Sequence, residues 1–288
     1  MTKLEKIIRF ILVHPKKKCD QQSAYLNWVA YRILNIRYNK YLKKIPVYKS
    51  MGEQSNKVWW CWFQGEQEAP ELNKACLKSL RDNLTDREII VITLDNYKEY
   101  VNIPDYIIEK FNRKKITYTH FSDILRTELL VKYGGTWIDS SVYCTKYNKD
   151  FFDIPLFMFS SFMNNDSSIY SSSWFITSEK NNPILLTVRD LLHKYWKDNN
   201  YLLHYYLFHF FISMSINKYK DLWKKVPRFS NIPPHILQFE LLDKYNEKRF
   251  DQIKEMSDFH KLNQKLDFSN SKDSFYEKII QDYRGEKK

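Results

Sequence analysis

The segment from Phe121 to Thr145, FSDILRTELLVKYGGTWIDSSVYCT, gathers the side chains in this chain best suited to chemistry. On a helix, Asp123 and Arg126 are three apart and share a face. The adjacent Gly134 and Gly135, two of only five glycines, turn the chain sharply into a short apolar run that ends in Asp139, Ser140 and Ser141. Helix and strand end are thereby forced close together, so that one small region holds two carboxylates, a guanidinium and two hydroxyls. Such a set suits a sugar nucleotide. A departing diphosphate needs a cation or metal to neutralise it, and neighbouring sugar hydroxyls take planar, multi-pronged partners such as Asp and Arg. A buried Asp–Arg pair on one helix face explains Asp123 and Arg126 almost as simply, and spacing alone leaves both readings open.

The elements that must position these groups alternate along the body of the chain. Val58–Phe63 is an apolar, aromatic strand; a helix with Pro70 at its start runs to Leu80; Glu88–Leu94 (EIIVITL) is a β-branched buried strand. Pro104–Phe111 and Thr119–Tyr133 are helices, the second stopped by the glycine pair, and Thr136–Tyr143 is a short strand. This βαβααβ order predicts a parallel or mostly parallel Rossmann-like sheet with helices on its faces, which binds ligands at the carboxyl ends of its strands. Further on, Leu156–Ser160 and Ser173–Thr177 are strands and Asn182–Trp196 a helix. Asn200–Ile216 is the most apolar stretch, but it is interrupted by His204 and His209 and falls short of the about 20 residues of a membrane span. It is expected as a buried helix. Residues 266–288 are expected as a polar, partly disordered tail.

The chain carries +12 from 46 basic and 34 acidic residues, and the excess is uneven. Residues 1–50 hold twelve Lys/Arg against Glu5 and Asp20, a net +10. A nucleic-acid binder spreads its basic surface through the folded domain, so no nucleic-acid partner is expected. A basic lead with two apolar-faced helices, 3–14 and 21–44, suits an anionic membrane surface; packing on the domain's own body is the competing reading. The four cysteines, Cys19, Cys61, Cys76 and Cys144, form no C-x-x-C pair, which points to a reducing compartment. The chain has no G-x-G-x-x-G, P-loop, G-x-S-x-G or H-E-x-x-H motif, so dehydrogenase, kinase, serine-hydrolase and zincin readings lack their signatures.

The runs KVWWCWFQGEQEAPELNKACLKSL, NIPDYIIEKF and THFSDILRTELLVKYGGTWIDSSV together resemble the bacterial capsular polysaccharide synthesis family. That family is related to glycosyltransferases with a DXD motif in a sugar-binding region, and more distantly to glucosylating clostridial toxins. The resemblance continues through SSSWFITSEKNNPILLTVRDLLHKYW and YYLFHFF to FHKL, roughly residues 56–265. It implies an α/β, GT-A-like fold, a Rossmann-type mixed sheet flanked by helices. The domain expected is 51–265, behind a helical lead at 1–50. It also implies a nucleotide-sugar donor, a UDP-sugar, and transfer with retention to a lipid-linked oligosaccharide at the cytoplasmic face of a bacterial plasma membrane. Residue by residue, the resemblance implies that Asp123 and Arg126 hold the donor sugar, with Asp139 as the first aspartate of the DXD-like motif and Ser140 beside it. It places Trp60 or Trp62 with Gln64 by the base, Trp174 near the sugar, and His260 and Lys261 over the diphosphate. Core packing remains the alternative for each Trp, as does a surface position for His260 and Lys261.

One departure stands out. The DXD motif ends in a metal-binding aspartate, and here that place is Ser141, a poor ligand for Mn2+ or Mg2+. A divalent metal held by Asp139 and Ser141 is therefore expected to bind loosely. The departure also keeps open a non-catalytic sugar-nucleotide-binding relic, and the distant kinship a toxin-like transferase acting on protein.

Overall fold

The computed structural model describes residues 20–50, 52–161 and 168–286. Its centre is a five-stranded sheet of β1 (Lys57–Cys61), β2 (Glu88–Ile92), β3 (Gly135–Ile138), β5 (Leu156–Ser160) and β6 (Ser171–Ser178), in the order β2-β1-β3-β6-β5. The first three strands are parallel, while β6 runs antiparallel to both β3 and β5. The mixed α/β architecture is thus the one expected. The chain leaves β1 toward β2 through α2 (Glu71–Asn83) and reaches β3, on the other side of β1, through α3 (Asp105–Asn112) and α4 (Tyr118–Tyr133). The carboxyl ends of β1 and β3 therefore flank the point where strand order reverses, where a doubly wound sheet opens a crevice.

The glycine pair works by close approach. Gly134 and Gly135 have φ of 69° and 89°, and a Cβ on Gly135 would lie 2.3 Å from the Lys57 carbonyl oxygen of β1. Only glycine lets α4 end and β3 begin within one step beside β1. The Trp59 indole donates to the Gly134 carbonyl at 2.9 Å and locks this corner.

The run Thr136–Tyr143, expected as one strand, is two. β3 stops at Ile138, a turn occupies Asp139–Ser141, and β4 (Val142–Cys144) leaves the main sheet to pair antiparallel with β7 (Phe259–Lys261). The Val142 amide donates to the Asp139 carbonyl at 3.1 Å, which closes the turn and breaks the extended run.

Three further expectations are corrected. Residues 200–206 are a loop, and the helix α6 starts at Leu207 and runs to Lys218. The Tyr195 hydroxyl, on α5 (Pro183–Asp198), donates to the Tyr201 carbonyl and accepts from the Leu203 amide, satisfying backbone that a longer helix would have used. The segment 266–288 is not a loose tail. Ser274 caps α7 (Phe275–Arg284), which buries Phe275, Ile279 and Ile280 against Leu72, Ala75 and Cys76 of α2. Nor is 1–50 a separate lead throughout. In α1 (Asp20–Lys44), Ala30, Leu34, Tyr38 and Leu42 recur every four residues and are buried in the core that α5 and α6 share. The helix expected at 3–14 lies outside the described residues. Among the described residues no helix is long and apolar enough to cross a membrane.

Candidate active site

Asp123, Arg126 and Asp139 meet at the carboxyl end of β3. Thr117 caps α4 by accepting from the His120 amide, and the helix then buries nearly every side chain from His120 to Val131. Arg126 sits under this cover, 4.8 Å from the Trp137 ring centroid and 5.4 Å from that of Phe208. Its guanidinium lies 3.3 Å from Asp123 Oδ1 and 3.4 Å from Asp139 Oδ1, and also donates to the Ser173 carbonyl. Its Nε is buried without a protein partner.

Asp139 is the hub. Its Oδ1 accepts from the Trp137 indole at 2.8 Å as well as facing Arg126, and its Oδ2 faces Lys261 Nζ at 3.2 Å. Its backbone amide donates to the Trp174 carbonyl at 2.8 Å, tying the turn to β6. Burial raises the Asp139 carboxyl, but the charges of Lys261 and Arg126 and the indole bond outweigh it and hold the group below the usual carboxylate range. It is ionised at neutral pH. Cys61, at the end of β1, feels both Arg126 and Asp139, while burial pushes its thiol up to about 12. The cluster therefore lies within electrostatic reach of the carboxyl end of β1 as well as that of β3.

Lys261 arrives from the far end of the chain. Its Nζ donates to Ser141 Oγ at 2.6 Å, and the Leu262 amide donates to the Ser141 carbonyl at 2.8 Å, so β7 is pinned to the β3–β4 turn. Because side chains alternate along a strand, the neighbouring His260 points the other way. It is fully buried, with Nε2 3.0 Å from Thr145 Oγ1 and its pKa lowered to about 4 by burial. The expectation that His260 closes over a diphosphate is corrected on this geometry.

The remaining expected residues divide. Ser140 lies in the Asp139 turn and accepts from Asn73 Nδ2 at 3.0 Å. Trp60 is completely buried among Val58, Leu77 and Leu80, a core position rather than a base platform. Trp62 is half-buried just past the end of β1, and Gln64 is exposed two residues on. Trp174 is buried, stacked on Phe159 at 4.6 Å, with its indole donating to Asn231 Oδ1 at 2.7 Å. Its carbonyl meets the cluster by accepting from the Asp139 amide.

Two residues escaped the sequence reading. The Trp196 indole donates to His120 Nε2 at 2.9 Å, which leaves the imidazole proton on Nδ1, 3.2 Å from Asp123 Oδ2. His120 thus positions Asp123 from behind, as Arg126 does from the front. An i, i+3 spacing of His120 to Asp123 on α4 was the available signal. His209 is the second: Asp123, Arg126 and Asp139 all act on it, and burial lowers its pKa to about 4.

The expected metal pair is already engaged, so that a divalent cation between Asp139 and Ser141 would have to displace Lys261. Mg2+ keeps several waters and is commonly held by one or two carboxylates plus substrate phosphates. Asp139 already faces three donors, and the Ser141 hydroxyl is held by Lys261. Among the described residues no group of three or more His, Cys, Asp or Glu is placed to hold a metal.

A family model described as "Capsular polysaccharide synthesis protein" matches residues 9–279. No curated protein matches the chain. Among solved structures, "PaToxG Glycosyltransferase" is similar at 16% identity and a TM-score of 0.42, over 92% of this chain and 98% of that one. A transferase variant with two cysteine-to-serine substitutions is similar at 12% identity and a TM-score of 0.36, over 70% of this chain and 91% of that one.

Proposed function

The chain belongs to the capsular polysaccharide synthesis protein family, and from that membership we propose that it is a glycosyltransferase acting on a nucleoside-diphosphate sugar, a UDP-sugar. The observation that carries the reading is the cluster of Asp123, Arg126, Asp139 and Lys261 at the carboxyl ends of β1 and β3. Two cations held by two carboxylates, with donors left over, match a leaving diphosphate and the hydroxyls of its sugar. In this reading Asp123, oriented by His120, and Arg126 take the sugar. Arg126 and Lys261 neutralise charge on the diphosphate as the anomeric C–O bond breaks. Asp139, braced by the Trp137 indole, holds the two cations in place. Transfer proceeds with retention: the acceptor oxygen bonds to the anomeric carbon on the face the diphosphate leaves, and the acceptor's proton passes to that diphosphate.

The acceptor we propose is a lipid-linked oligosaccharide, met at the cytoplasmic face of the plasma membrane. In support, the outward face of α1 carries exposed Tyr25, Trp28 and Ile36 among Arg32, Lys40 and Lys43. An aromatic and basic face of this kind suits an anionic interface.

The test is incubation with a panel of nucleotide sugars while donor hydrolysis is followed. An enzyme hydrolyses one donor slowly without acceptor, and Arg126→Ala abolishes it. A folded protein that hydrolyses none is a binding relic, and the reading falls.

A further inference from the structure

We propose that the Lys261 ammonium occupies the place of a divalent cation, so that this site binds a nucleoside diphosphate without metal. The inference rests on the reading of the site as one for a nucleotide sugar and specifies how its diphosphate is held. The geometry is direct. Lys261 Nζ lies 2.6 Å from Ser141 Oγ and 3.2 Å from Asp139 Oδ2, bridging the two oxygens that a metal would need. The charges match as well. Asp123 and Asp139 together balance Arg126 and Lys261, so the cluster is neutral with the ammonium in place and the protein offers no further negative charge to a divalent ion.

The position is built rather than incidental. The β4–β7 register sets Val142 opposite Lys261, and the Leu262 amide clamps the Ser141 carbonyl at 2.8 Å. The backbone therefore holds Lys261 beside the turn, and its contacts to Ser141 and Asp139 place the ammonium. Donors also remain for an incoming anion. An ammonium has three N–H groups, and the contacts of Lys261 engage Ser141 and Asp139. Arg126 Nε is buried in the same cluster with no partner in the protein.

The experiment uses the full chain and titrates UDP, with GDP, CDP and ADP alongside, by isothermal calorimetry in EDTA and again in MnCl2. The expected result is a nucleoside diphosphate that binds in EDTA within about twofold of its affinity in Mn2+. Lys261→Ala should weaken binding in EDTA by at least about tenfold, and Mn2+ should restore part of the loss by entering between Asp139 and Ser141. Lys261→Arg should keep metal-free binding. The electron paramagnetic resonance signal of aqueous Mn2+ should be unchanged by the wild type and diminished by Lys261→Ala. Wild-type binding that vanishes in EDTA and returns with Mn2+ overturns the proposal, as does Lys261→Ala binding unchanged in EDTA. If Lys261→Ala does not fold, Lys261→Arg and the two wild-type buffers decide alone. A wild type that binds no nucleoside diphosphate in either buffer overturns the nucleotide-sugar reading itself, a result distinct from a metal requirement.

Discussion

Replacing Asp139 by asparagine leaves the shape of the hub and removes its charge. The amide oxygen can still accept from the Trp137 indole, but Arg126 at 3.4 Å and Lys261 at 3.2 Å lose their shared counter-ion. At an effective dielectric near 20, a pair at this separation attracts by about 5 kcal/mol before desolvation is counted. Breaking a fully buried pair by removing one partner costs about 3–5 kcal/mol. Asp139 and Lys261 are 26% and 20% exposed and partly screened. The expected loss of stability is therefore nearer about 2–3 kcal/mol, which a domain of ordinary stability survives. The loss of activity should be larger in its consequence. With Lys261 without its carboxylate and Arg126 held by Asp123 alone, about 3 kcal/mol of transition-state stabilisation disappears, roughly a hundredfold in rate. Urea unfolding measures the first quantity, and hydrolysis of whichever nucleotide sugar the wild type accepts measures the second. A folded Asp139→Asn protein with wild-type turnover refutes the site. One with wild-type stability refutes the claim that Asp139 balances two cations.

Other perturbations test the scaffold. His209 and His260 are held near pKa 4 against an ordinary 6.5, so both stay neutral when folded and gain protons on unfolding. Stability should fall as pH drops from 6.5 toward 4, by about 2 kcal/mol per histidine at pH 5 as an upper bound; identical urea midpoints at pH 7.5 and pH 5 contradict this. Gly135→Ala forces a Cβ to 2.3 Å from the Lys57 carbonyl at a φ of 89°. It should cost at least about 3 kcal/mol, seen as loss of soluble protein, and a stable variant would falsify the close-approach argument. Deleting residues 1–52 removes Ala30, Leu34, Tyr38 and Leu42 from the core. At about 1.5–3 kcal/mol for each large apolar side chain, the truncated chain should aggregate. Trp28→Ser with Ile36→Ser should instead fold normally and lose co-sedimentation with anionic vesicles, and unchanged sedimentation would remove α1 from the membrane contact.

What the sequence disclosed was local. Asp123, Arg126 and the glycine pair lie within one helix and its exit, and their spacing alone brings Asp139 beside them. The alternation of strands and helices likewise announced a mostly parallel sheet with helices on its faces, which the β2-β1-β3 half is. What it concealed was long-range. The apolar run through Trp137, Ile138 and Val142 reads as one strand, because nothing local announces that β4 will pair with β7, 117 residues away between Tyr143 and His260. The positioning of His120 depends on Trp196, 76 residues downstream, which reads as an ordinary core aromatic. The basic count of 1–50 drew attention to the charged face of α1 and hid the four-residue rhythm of Ala30, Leu34, Tyr38 and Leu42. Resemblance, not spacing, brought Lys261 to the site, and it brought His260 with it in error, since it carries no information about which way each side chain points.

The alternation in β7 links correct folding to competence. Lys261 reaches Asp139 only if His260 enters the core beside Thr145, and a slip of one residue exchanges them. A slipped molecule would bury an ammonium with no counter-charge and offer the cleft a neutral ring. It would be inert and, for the same reason, unstable, so proteolysis would clear the molecules that cannot work without having to sense activity. Substitutions in this strand should then rarely yield a stable but inactive protein. Loss of function and loss of abundance should arrive together.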